Sequence, residues 1–125
     1  MTPQTPFDRE AGHRHFAAHC FGDTWAILGK VDRGADDERR IVAAAVASVY
    51  HWMHLLDCTS QHLSFSYWQV SRVHAVLSRA TEALRYAEIC DSYSSTLSPF
   101  YRGDALEAIA RAALLTGDSV RAEQA

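Results

Sequence analysis

An all-α fold, five to six helices arranged as antiparallel hairpins, is what the sequence predicts. Three observations carry that expectation. Apolar residues recur at helical spacing in five separate stretches. Start and stop signals punctuate those stretches: Thr5-Pro6, Asp36-Asp37-Glu38 and Ser98-Pro99 at starts, Gly29 and Gly117 at stops. Finally, Tyr67–Cys90, YWQVSRVHAVLSRATEALRYAEIC, reads as two helices folded back on each other around a tight turn at Ser78-Arg79-Ala80.

The elements follow in order. Residues 1–4 form a polar leader, and Thr5 caps a first helix with Pro6 at its first position. Its stripe is Phe16, Ala17, Cys20, Phe21, Thr24, Ile27 and Leu28. A turn with Gly34 leads to a second helix whose three opening acids suit the helix dipole. That helix buries Ile41, Ala44, Ala45, Ser48, Trp52 and Leu55 and ends near Asp57-Cys58. Thr59 or Ser60 caps the third helix, which carries Phe65, Trp68, Val73, Val76 and Leu77 with polar Gln69 and Arg72 inside the stripe. Thr81 caps a fourth with Ala83, Leu84, Ala87 and Cys90 inward, fraying through Ser92–Ser98. A fifth runs from Pro99 to Leu115, and residues 119–125 are a terminal stub.

At 125 residues the chain reads as one helical domain, 1–125, able to bury roughly two thirds of its extended surface. Net charge is −3, which argues against a nucleic-acid partner, since that calls for a clustered basic face. Cys20, Cys58 and Cys90 are odd in number and never form a CxxC pair, so neither a disulfide framework nor a cysteine zinc site is expected. The N-terminus lacks the pattern of a signal peptide, and Ile41–Tyr50 is too short to span a bilayer. The expected location is cytoplasmic, with no membrane partner.

Sliding the chain by 39 positions aligns Val70, Ser71, Arg72, Val76, Ser78 and Ala83 with Ile109, Ala110, Arg111, Leu115, Gly117 and Ala122. Small residues on both sides of a turn are what two closely crossing helices need. This spacing resembles the tetratricopeptide repeat: Ser71, Ser78, Ala83 and Cys90, then Ala110, Gly117 and Ala122, occupy that family's small-residue positions. The resemblance covers residues 66–125 and implies a right-handed tetratricopeptide-like array; the repeat is longer than usual and its second hairpin is short. A more specific likeness rests on Ala47-Ser48-Val49-Tyr50-His51-Trp52, Trp68-Gln69-Val70-Ser71-Arg72-Val73-His74-Ala75-Val76-Leu77 and Glu107-Ala108-Ile109-Ala110-Arg111-Ala112. These segments are similar to a group of small bacterial helical proteins with a tetratricopeptide-like end. His74, Ser78, Tyr86 and Ile109 depart from the group's pattern. The likeness implies the fold over nearly the whole length and brings no activity with it.

Residues able to carry chemistry are few. His51, His54 and Asp57, three apart in turn, form the best metal-ligating set, a two-histidine-one-carboxylate pattern. His15 and His19 share a helical face, whereas His13 points elsewhere; all three read as a solvated face. Glu10-Ala11-Gly12-His13 is a single Glu-x-x-His where a bundle di-iron site needs two. No GxSxG, GxGxxG or P-loop occurs, and Cys58 beside His54 lacks a third orienting group. No catalytic residue and no cofactor are expected.

The candidate ligand-binding residues are His51, Trp52, Trp68, Gln69, Arg72 and Glu107, lining a pocket for a small anion or peptide carboxylate between helices two and three. Arg72 is expected to pair with Glu107, or else with Glu82 or Asp104, because an unpaired buried charge is costly. Tyr86 and Tyr93, seven apart on one face, and Tyr101 suggest a partner surface. The functional expectation is a non-catalytic protein-interaction or self-assembly module, with a homodimer formed through the last two helices. The alternative is a bundle that binds a metal or small anion near His51, His54 and Arg72.

Overall fold

A computed structural model, describing residues 7–117, contains five helices and, among those residues, no strand: α1 (Arg9–Leu28), α2 (Ala35–Met53), α3 (Ser60–Val76), α4 (Ala80–Ser94) and α5 (Pro99–Thr116). The all-helical expectation holds. Thr5-Pro6 and the terminal stub lie outside the described residues.

The cap of α1 is Asp8, whose carboxylate accepts from the Ala11 N–H at 3.0 Å, so the helix starts at Arg9. α2 stops at Met53, short of the expected Asp57-Cys58. The main chain turns there because the Leu56 N–H is drawn to the Glu10 carboxylate of α1, 3.2 Å from each oxygen. Thr59 caps α3 reciprocally with His62: its hydroxyl accepts from the His62 N–H, and His62 Nδ1 accepts from the Thr59 N–H at 3.1 Å. Arg79, rather than Thr81, is the cap residue of α4, with no side-chain hydrogen bond. Ser98 and Pro99 open α5 and Gly117 closes it in the left-handed region at φ 79°, where glycine is at no steric disadvantage.

The helices pack as sequential neighbours, and α3 is the one that touches all four others. Three apolar groups form the core. Ile41, Ala45 and Val49 of α2 meet Val70 and Val73 of α3; Ala17, Trp52 and Leu55 close one end; Ala87, Ala108 and Ile109 fill the α4–α5 side.

Small residues set the helix crossings. Ser48 donates to the Ala17 carbonyl at 2.8 Å across α1–α2, and Ser71 donates to the Ala83 carbonyl at 2.8 Å across α3–α4. At the far end of that hairpin Ser64 and Ser94 share a 2.7 Å hydroxyl contact, and the Cys90 thiol donates to the Ser64 carbonyl at 3.2 Å. Within the serine-rich stretch read as fraying, Ser94 is fully buried as the last residue of α4, whereas Ser92, Ser95 and Ser98 are exposed. α1 is the least embedded helix, burying only Ala17 and Thr24 and leaving Phe16 exposed despite its place in the expected stripe. No helix among the described residues is long and apolar enough to cross a membrane.

Candidate functional site

The fold does not bring the six residues expected to line one pocket together. His51 sits at the α1–α2 junction, where its Nδ1 lies 2.8 Å from Nδ1 of His13. One nitrogen of that pair must donate and the other accept, so the contact holds with both rings neutral or with one charged, and fails when both are charged. His54 stacks on His13 with ring centroids 4.8 Å apart, and its Nδ1 donates to the Tyr50 carbonyl at 2.7 Å. Burial holds the His51 imidazole below its ordinary range, with like charge on His13 and His54 adding to the effect. His13, expected on a solvated face, is thus a half-buried partner of α2. The pairing is tertiary, and sequence spacing carries no trace of it.

Asp57 is not aimed at this trio. Its carboxylate is exposed and accepts from Arg14 at 2.7 Å, and Glu10 lies 3.8 Å from the same Arg14 nitrogen. Among the described residues no group of three His, Cys, Asp or Glu is arranged to hold a metal ion. The thiols are poor nucleophiles as placed. Burial raises the pKa of all three, with Asp23 adding at Cys20 and Asp57 at Cys58, whereas a reactive cysteine needs the opposite shift.

Trp52 belongs to the core, its ring stacked on His62 at 4.7 Å. Gln69 is fully buried and ties α3 to α1, its Nε2 donating to the Phe21 carbonyl at 3.0 Å, while its Oε1 has no hydrogen-bond partner. Trp68 meets Trp25 at 5.6 Å, with its buried indole N–H also unpartnered.

Arg72 lies on another wall altogether. It lines a cavity of about 440 Å³ with Trp25, Leu28, Gly29, Arg33 and Val76. Trp25 and His13 are twelve residues apart on α1, about 18 Å along its axis. The histidines and Arg72 therefore do not share a site. Nor does Arg72 meet its expected acid: Glu107 pairs with Arg111 one turn along α5, and no ion pair of Arg72 occurs among the described residues. An i,i+4 partner is reached without bridging two helices, which explains why Glu107 turns to Arg111.

The predicted aromatic row is brought together, with members the sequence did not single out. Tyr86 and Tyr93 both stack on Tyr67 of α3, at 6.2 and 5.9 Å, and His74 stacks on Tyr86 at 5.4 Å. Tyr101 stands apart in the first turn of α5, against Phe100. Beside the row, Val46, Tyr50 and Met53 of α2 join Tyr67, Val70 and Tyr86 in lining an apolar groove of about 200 Å³. Val46, Tyr50 and Met53 remain substantially exposed, at 44, 53 and 50%. Burial raises the Tyr67 pKa, and the neighbouring Tyr93 and Tyr86 raise it further, so its hydroxyl stays protonated.

Sequence reasoning passed over Arg33, Tyr67 and the α2 side of the groove. Arg33 carried one usable signal, a cation shortly after a helix stop, where it can reach the last carbonyls, although Lys30 stands there too. Its Nη1 donates to the Leu28 and Lys30 carbonyls at 3.0 and 3.3 Å. Comparison with family models, curated proteins and solved structures found no match.

Proposed function

We propose that this protein is a non-catalytic interaction module that assembles with a second copy of itself. The observation that supports it is the apolar groove between α2, α3 and α4, whose open side presents Tyr50, Met53 and Val46. Tyrosine and methionine are enriched where protein surfaces meet, combining large apolar area with, for Tyr, a polar tip. A second uncovered apolar face occurs on α5, where Phe100, Leu106 and Leu114 are exposed. This face fits the expected homodimer through the last two helices.

The array we propose is tetratricopeptide-like in its second half. In support, α5 packs on both helices of the α3–α4 hairpin. Ser71, Ala83 and Cys90 are buried between the hairpin's two helices. The positions aligned by the 39-residue offset, Ser78 and Gly117, are also the two described residues with positive φ, at 59° and 79°. Stacked helical units leave end faces that need covering, and a second copy is one way to cover them.

Sedimentation equilibrium tests the assembly. A concentration-dependent dimer is expected, and the charge substitutions Met53→Glu and Leu106→Glu assign it, since the face whose variant becomes monomeric is the contact. A strict monomer at high concentration overturns self-association. The alternative of a metal or small anion near His51, His54 and Arg72 loses its single location, because the histidines and Arg72 stand apart.

A further inference from the structure

Seven arginines of this chain lie within the described residues without an ion pair, and most of them are exposed. Arg33 and Arg72 are the half-buried members of that set, and both line the same cavity. Solvation explains an exposed unpaired guanidinium; it explains two half-buried ones at a shared opening less well, because partial burial removes water and the nearby helix-end carbonyls, two of them bonded by Arg33, offset full charges only in part.

Local acids do not fill the gap. Lys30 holds Asp37 at 2.8 Å, Arg111 holds Glu107, and neither Asp32, next to Arg33 in the α1–α2 loop, nor any other described acid reaches either arginine as an ion pair. Arg111 stands close enough to Arg72 for their charges to repel, which adds to burial in holding Arg111 below its ordinary range against the opposing pull of Glu107. The two carbonyl bonds of Arg33 are made through Nη1, while its Nε is buried without a partner. Trp25, Leu28 and Val76 supply the apolar remainder of the wall.

We infer that the cavity between the end of α1, the α1–α2 loop and α3 binds a small organic monocarboxylate with an apolar or aromatic body. Its carboxylate meets Arg72 and Arg33, and its body lies against Trp25, Leu28 and Val76. The fork of Arg72, free of any ion pair among the described residues, matches the planar geometry of a carboxylate, and Arg33 adds positive charge beside it. A volume of about 440 Å³ is in the range of small-molecule sites.

The arginines call for an anion, and the helices that end there limit how much negative charge it can carry. Leu28 closes α1 and Val76 closes α3, so carbonyl ends with partial negative charge surround the opening. The Gly29 N–H is already bonded to the Trp25 carbonyl at 3.0 Å and the Lys30 N–H to the Ile27 carbonyl at 3.1 Å, so neither of these amides is free to cradle a phosphate. A monoanion fits this balance better than a phosphate dianion. The site is independent of the self-association reading: Arg72 and Val76 lie on the side of α3 opposite Tyr67 and Val70, which face the groove.

Benzoate, its neutral isostere benzamide, inorganic phosphate and a short acetylated peptide with a free C-terminal carboxylate are suitable probes. Calorimetry, with the Trp25 indole N–H resonance as a local reporter, reads binding to the full chain. Benzoate is expected to bind at least tenfold more tightly than benzamide or phosphate and to weaken as salt is raised. Arg72→Gln should lose at least tenfold, and Arg72→Lys should recover part of that loss. Val76→Glu gives a reading that needs no ligand: its carboxylate at the rim should raise the melting temperature and block benzoate. Equal binding of benzoate and benzamide, phosphate binding as tight as benzoate, unchanged affinity in folded Arg72→Gln, or a lowered melting temperature with intact binding in Val76→Glu would each overturn the inference. Binding of the peptide tenfold tighter than benzoate would overturn the assignment to a free small molecule.

Discussion

Ser78 holds φ at 59°, the left-handed conformation that closes α3, and it is exposed there. Closing bonds run from the Ser78 N–H to the Ala75 carbonyl at 3.0 Å and from the Arg79 N–H to the His74 carbonyl at 2.8 Å. A side chain in this region costs roughly 1–2 kcal/mol, partly offset by glycine's greater unfolded-state entropy. Ser78→Gly is therefore expected to stabilise the protein by about 1 kcal/mol, seen as a higher urea midpoint with an unchanged slope. Two histidines act in the opposite sense as pH falls. His51 and His74 both sit below the ordinary imidazole pKa of 6.5, chiefly through burial, with His13 and His54 assisting at His51 and Arg79 at His74, where Glu82 opposes. The folded chain thus binds fewer protons than the unfolded chain below that value. Their contribution is complete above about pH 6.5 and declines as pH falls toward the folded-state values. Denaturation at pH 7.5 and pH 5 should show the loss, and His51→Gln with His74→Gln should flatten it. The turn at Ser78 was legible, since small residues and a repeat offset both pointed there. The His13–His51 contact was not, because nothing local distinguishes a histidine with a tertiary partner from a solvated one.

Helix count and most helix ends were legible because caps, prolines and glycines act locally. The three misplaced ends, at the start of α1, the end of α2 and the start of α4, show where local signals were insufficient. α2 stops where Glu10 of a different helix captures the Leu56 N–H, which no window of α2 contains. The polar stripe of α3 was visible in Gln69 and Arg72, but their partners were not. Gln69 satisfies its amide N–H on Phe21 of α1, and its oxygen is left buried without a partner. Removing a net hydrogen bond costs about 1 kcal/mol, whereas an unmet buried acceptor carries a penalty of about 1–3 kcal/mol. Gln69→Met keeps the volume while removing both, so it should be at least as stable as the parent chain. Gln69→Ala should be less stable by about 2–4 kcal/mol, because it opens a cavity in the α1–α3 contact. Chemical denaturation of the pair separates polarity from packing.

At the scale of the molecule, α3 joins what would otherwise be two pieces. The α1–α2 hairpin meets the rest of the chain chiefly through α3, and α4 and α5 pack on α3 from the other side. Opposite faces of α3 carry the groove of Tyr67 and Val70 and the cavity of Arg72 and Val76, so both candidate surfaces depend on how this helix is seated. The seat is the apolar group in which Val70 and Val73 meet Ile41, Ala45 and Val49. Val73 is fully buried and has no polar role, which makes it a clean probe of coupling between the halves. Val73→Ala deletes two methyl groups, each worth about 0.8 kcal/mol of burial, and leaves a small cavity, so about 2 kcal/mol of stability should be lost. If α3 couples the halves, that loss should appear in both. The tryptophan signal, weighted toward Trp25, Trp52 and Trp68, and the helical signal of the whole chain should still change in one coincident transition, displaced to lower denaturant. Two separate transitions, with α1–α2 persisting after α4–α5 has melted, would show that the chain is two stability units and that α3 belongs to only one of them.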